Sequence, residues 1–127
     1  MTQERNANIG ESGENVAISY LVAQGFKVLD RNFRRPYGEI DIVAQKDRAL
    51  HFVEVKTSKY YPETAFSPEI RVNKRKISAL KRICERYLSE HSLQDEKWQI
   101  DVISVILDRQ SVRSIELFEN AVFEKRY

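Results

Sequence analysis

Residues 38–57 limit this chain most: two short segments rich in β-branched and aromatic residues flank the polar tetrapeptide Gln45-Lys46-Asp47-Arg48. Such a pattern predicts a β-hairpin. A turn centred between Asp47 and Arg48 places Asp41 opposite Glu54, whether the loop holds two residues or four. Side chains alternate along a strand, so Glu54 and Lys56 share one face while Val53 and Val55 take the other. One face then gathers two carboxylates and an ammonium, and the other is apolar. Asp-Arg is not a favoured tight-turn dipeptide, which leaves the register free to slip.

An Asp, a Glu and a Lys on a buried sheet surface are costly unless they are paired or hold a metal. Two readings follow. In one, Lys56 balances Glu54 or Asp41 in a cross-strand ion pair on an open face. In the other, Asp41 and Glu54 coordinate a hard cation, Mg²⁺ or Mn²⁺, and Lys56 sits beside the attacking water. Carboxylate oxygens suit such a cation, with waters and substrate phosphate completing its shell.

A chain of 127 residues fits one domain, read here as residues 11–127 behind a loose polar tail over 1–10. Its apolar share of 42% and charged share of 31% are those of an ordinary globular protein. The net charge of +2 offers no global attraction to nucleic acid. Cys84 is the single cysteine, so an intrachain disulfide and a cysteine-rich zinc site are excluded, and core packing on a helix is its expected role. No apolar run approaches the roughly 18 residues of a membrane span. Residues 1–9 lack a signal-peptide core, so a reduced, cytoplasmic setting is expected.

In chain order, Ser12–Gln24 has a helical pattern stopped by Gly25, with Val16, Ala17, Ile18, Tyr20 and Leu21 as its apolar arc. Glu14 falls inside that arc. It is either a first-turn acid favoured by the helix dipole or a carboxylate aimed at the hairpin. Phe26–Phe33 reads as a strand, followed by Arg34 and Arg35 and a Pro36-Tyr37-Gly38 turn. Ser58–Phe66 reads as a loop. A second helix is expected over Asn73–Glu90, with Ile77, Leu80, Cys84, Tyr87 and Leu88 facing a core. Lys74, Arg75 and Lys76 crowd its N-terminus, where cations are unfavourable, so either an anion belongs there or the face is simply solvated. With Arg34 and Arg35 they are the candidate nucleic-acid contacts. Trp98–Leu107 reads as a strand buried on both faces, interrupted by Asp101, and Val112–Leu117 as a last strand. The whole is an α/β pattern.

Gly13-Glu14, Asn32-Phe33-Arg34, Gly38-Glu39-Ile40-Asp41, Phe52-Val53-Glu54-Val55-Lys56-Thr57, Lys74, Asp101 and Asn120-Ala121, in that order, resemble the YraN family of small bacterial proteins over roughly residues 10–123. That family is similar to archaeal Holliday junction resolvases, within the restriction-endonuclease-like superfamily. The resemblance implies a mixed sheet of about five strands flanked by α-helices. It implies Asp41 and Glu54 as metal ligands, with the Val55 carbonyl as a third and Glu14 acting through a metal-bound water. Lys56 would orient the water and stabilise charge on the phosphate. The implied activity is metal-dependent endonucleolytic hydrolysis of DNA, at branched or junction DNA, by a symmetric homodimer. Gln99 stands where the family often has Arg. The rival reading is a nucleic-acid-binding module that keeps the acidic cluster and does not cut.

Overall fold

Two segments that each bury apolar side chains on both faces must be covered on both faces, and the architecture follows from that need. The computed structural model describes residues 2–60 and 74–121, with side chains over 12–60 and 75–121. The elements are α1 (Thr2–Ala23), β1 (Lys27–Arg35), β2 (Gly38–Lys46), β3 (Ala49–Lys59), α2 (Lys74–Glu90), β4 (Lys97–Asp108) and β5 (Ser111–Phe118). They form a five-stranded mixed sheet in the order β1-β2-β3-β4-β5 with two helices, a restriction-endonuclease-like α/β arrangement.

The central hairpin has the expected register. Its ladder runs from Lys46–Ala49 to Ile42–Val53, which sets Asp41 level with Glu54. The turn is Asp47-Arg48 with φ of 51° and 64°, the left-handed pair that a type I′ turn needs. Turn propensity was the weaker constraint here. A one-residue slip would turn Val43, Phe52, Ile42 and Val53 to the wrong faces, and packing forbids that.

β3 and β4 pair in parallel, so a crossover must join them, and α2 lies in it. β4 is internal, between β3 and β5, with Val102, Ile103 and Val105 fully buried, as its double-sided apolar pattern implies. Under α2, Val43, Leu50 and Phe52 pack with Ile83, Cys84 and Tyr87. Under α1, Ile42, Ala44 and Val53 pack with Ala17 and Leu21. Each such large side chain contributes roughly 1.5–3 kcal/mol on burial. Cys84 belongs to this core, and burial pushes its thiol pKa well up.

Three expectations change. The hairpin is apolar on both faces, and its charged group sits only at the end of the face that α2 covers. α1 starts at Thr2, so residues 2–10 carry helical backbone ahead of the expected Ser12 start. β3 continues through Ser58 and Lys59, paired with Ile106 and Leu107, because β4 offers a ladder that local sequence does not reveal. Residues 61–66 of the expected loop lie outside the described residues.

α1 meets the sheet at Gly13. A Cβ there would lie 2.0 Å from Thr57 Oγ1, so only a glycine permits this approach. The contact brings the next residue, Glu14, to the end of the hairpin.

Candidate metal and nucleic-acid site

The β2–β3 ladder ends at Ile42–Val53, and a cleft of about 730 Å³ opens beyond it. Its walls include Glu14 from α1, Arg34 from β1, Glu39 and Asp41 from β2, Glu54 from β3 and Lys76 from α2. Past the last ladder pair, the Val55 N–H donates to Asp41 Oδ2 at 2.8 Å, so a side chain serves as the local acceptor. That bond fixes the Asp41 carboxylate beside Glu54.

Burial pushes the Asp41 pKa from 3.8 up to about 6. The Val55 N–H works against that rise, and Glu14, Glu39 and Glu54 add to it by repulsion. A folded value above the ordinary one means that the fold gains from the protonated acid. This contribution is full below about pH 4 and is lost as pH rises through about 6. Asp41→Asn removes the ionisation and keeps an acceptor for Val55. It should stabilise the metal-free protein by about 1–2 kcal/mol near pH 7.5, after discounting for partial solvent screening, and by almost nothing near pH 4. Denaturant melts at the two pH values check this, and equal stabilities at the higher pH would refute the strained carboxylate.

The Glu54 side chain is 17% exposed. Its Oε1 lies 2.9 Å from Lys76 Nζ and 3.5 Å from Lys56 Nζ. Its Oε2 is buried with no hydrogen-bond partner. Lys76 beside it, then burial, holds the Lys56 ammonium below the ordinary lysine range against the pull of Glu54. Burial also opposes the Lys76 charge, but its bonds to Lys56 and Glu54 leave that pKa raised. Glu14 is paired with Arg31 at 3.5 Å.

The cationic candidates separate. Lys76 is turned inward onto Glu54 rather than lying on a solvated helix end, because it shares the helical stripe of Leu80 and Ile83 that faces the sheet. Arg75 is exposed, and the Lys74 side chain lies outside the described residues. Arg34 lines the cleft but pairs with Glu39 at 2.6 Å. Arg35 is held by Glu90, which also takes Arg86.

A second polar group forms around Asp101, the acid that interrupts β4, with His51 as the member that the sequence pattern does not signal. His51 Nδ1 lies 2.6 Å from Asp101 Oδ2, both buried, and Gln99 Nε2 and the Asn120 N–H each donate to Asp101 Oδ1 at 2.8 Å. Gln99 thus serves Asp101, and Asn120-Ala121 is tied back to β4, Ala121 through its N–H to Ile100 O at 3.0 Å. Among the described residues, His51, Asp101 and Glu119 offer donors within 4.8 Å of one another, close enough for a metal ion. Both Asp101 oxygens are already engaged, so this group reads first as a bonded core network. Glu14, Asp41 and Glu54 share the cleft without being that tightly gathered, among the described residues.

Sheet order and cleft define an α/β domain of restriction-endonuclease-like architecture with an acidic pocket at one end of its central hairpin. The model of the "Uncharacterised protein family UPF0102" matches residues 13–105, and the chain belongs to this family, which is the YraN family. A UPF0102 protein of Campylobacter fetus is 46% identical, over 76% of this chain and 81% of its own. One from Pelobacter propionicus is 39% identical, over 96% and 86%. Another, from Moorella thermoacetica, is 37% identical, over 95% and 98%. No helix among the described residues is long and apolar enough to cross a membrane.

Proposed function

We propose that this protein is a Mg²⁺- or Mn²⁺-dependent endonuclease that hydrolyses DNA phosphodiester bonds in the cleft, with branched or junction DNA as its substrate class. One observation carries the reading: the unpartnered, buried Glu54 Oε2 beside Asp41. A buried charged oxygen without a partner costs more than the roughly 1–3 kcal/mol of a neutral orphan, and a cation relieves it. The same cation would also offset the burial, and the repulsion from neighbouring acids, that raise the Asp41 pKa. The donors here are all oxygens, which favour hard divalent ions.

Asp41 and Glu54 would hold the ion, with the Val55 carbonyl as a third ligand and Glu14 acting through a water. The ion would polarise the phosphate and lower the pKa of its water. Lys56 positions that water and offsets charge on the phosphate. Attack on phosphorus breaks the bond to the 3′ oxygen and leaves a 5′-phosphate. Arg34, which lines the cleft, and the exposed Arg75 would attract the backbone. A symmetric pair of such clefts would serve two strands.

A non-cleaving DNA-binding module is the second reading, favoured by the two lysines that already neutralise Glu54 Oε1. An assay on linear, branched and single-stranded DNA separates the two. Cleavage with Mg²⁺ or Mn²⁺ that EDTA abolishes is the expected outcome. DNA bound but uncut with every divalent ion would hand the case to the binding module.

A further inference from the structure

At about 730 Å³ the cleft has the size of a small-ligand pocket, more than an ion and one phosphate need. Lys76, Ala79, Leu80 and Ile83 line it from one helical stripe of α2, cationic at its first position and apolar at the next three. Lys76 meets Glu54, so Ile83, seven residues on, lies roughly 10 Å further along the helix axis. Pro36 and Gly38, at the turn between β1 and β2, line the cleft as well. A Cβ on Gly38 would rest 3.8 Å from Cβ, Cγ2 and Cδ1 of Ile83, an ordinary contact with no clash. The missing side chain thus leaves an opening between turn and helix that one methyl group would narrow. Pro36, Gly38, Ala79, Leu80 and Ile83 carry no polar side-chain atom, so their side chains offer nothing to a metal or a phosphate. Arg34, two residues before Pro36, lines the same cleft and offers a charge for a neighbouring phosphate. In a nucleic-acid strand, the sugar and its base lie between two phosphates.

We propose that the apolar end of the cleft seats one unpaired nucleobase of the strand whose phosphate lies at Asp41 and Glu54. This rests on the nuclease reading above and adds to it a structural requirement on the substrate. A paired base keeps its faces inside the stack and cannot lie on this wall. It must leave the duplex, which costs least at a branch, a frayed end or a single strand. Apolar contact does not tell the bases apart, so the slot selects unpaired structure rather than sequence.

Two labelled single-stranded DNA hexamers test the slot, one of thymidylates and one of abasic nucleotides. They carry the same phosphates, so their difference in affinity for the full chain isolates the bases. With Ca²⁺ present, wild type should bind the thymidylate hexamer about tenfold more tightly than the abasic one. Gly38→Ala and Ala79→Leu fill the slot from the turn side and the helix side. Each should bring the ratio to about threefold or less by excluding the base, with the abasic hexamer bound as before. Circular dichroism melts establish that both variants are folded; alanine at position 38 meets Ile83 without a clash, and leucine is a good helix former. A ratio near one in wild type would overturn the proposal and leave the nuclease reading intact. So would a tenfold ratio that both filled variants retain. Wild type that binds neither hexamer would remove the DNA reading and this inference together.

Discussion

On the proposed nuclease reading, Glu54→Gln should lower DNA cleavage by on the order of 10²–10⁴-fold, the several kcal/mol that a bound ion would supply to a phosphoryl transition state. The substitution keeps size and hydrogen-bonding capacity but removes one negative charge. The amide oxygen would face Lys56 and Lys76, which leaves the amide nitrogen at the buried position now held by Oε2. That atom donates and cannot ligate a cation, so metal affinity and cleavage should fall together. DNA affinity without metal should hold or rise, since a charge that repels phosphate is gone. Lys56→Ala should behave differently. Both carboxylates remain, so metal binding largely survives while cleavage drops for want of the positioning group. Parallel calorimetry and cleavage rates decide the matter. A Glu54→Gln protein that cuts at the wild-type rate would end the catalytic reading of this cleft.

Gly13→Ala should destabilise the fold strongly. Its Cβ would meet Thr57 Oγ1 at 2.0 Å, with Thr57 Cβ and Cγ2 both at 3.0 Å. Rotation of the threonine relieves it only in part, because two of its three rotamers aim a heavy atom at the new methyl and Cβ stays at 3.0 Å in all of them. α1 must therefore lift from the sheet, and the loss should be about 2–4 kcal/mol, at the upper end for overpacking. Thr57→Ala removes Oγ1 and Cγ2 and leaves only Cβ at 3.0 Å, so the double variant should recover much of the loss, a coupling that denaturant melts can measure. Additive effects would show that the contact is not the cause. Where folding survives, the lifted helix carries Glu14 with it, so cleavage should fall more than stability alone explains.

Much of the cleft is legible in the sequence because its parts are local. Asp41 and Glu54 belong to one hairpin, where side-chain alternation and a short turn decide what faces what. Glu14 sits one residue from the glycine that lets α1 approach. Boundaries were harder: α1 begins earlier and β3 ends later than periodicity suggests, since pairing with β4 extends the strand.

The amino-acid sequence by itself determined the hairpin register, the double-sided burial of β4 and the acids grouped around Asp41 and Glu54. Each rests on side-chain alternation within a strand and on which positions are apolar. Tertiary structure alone decided that Lys76 turns onto Glu54 and that His51 meets Asp101. The first joins β3 to α2, within the crossover between two parallel strands, and the second joins β3 to β4 across it. No residue near either partner encodes the offset that brings them together.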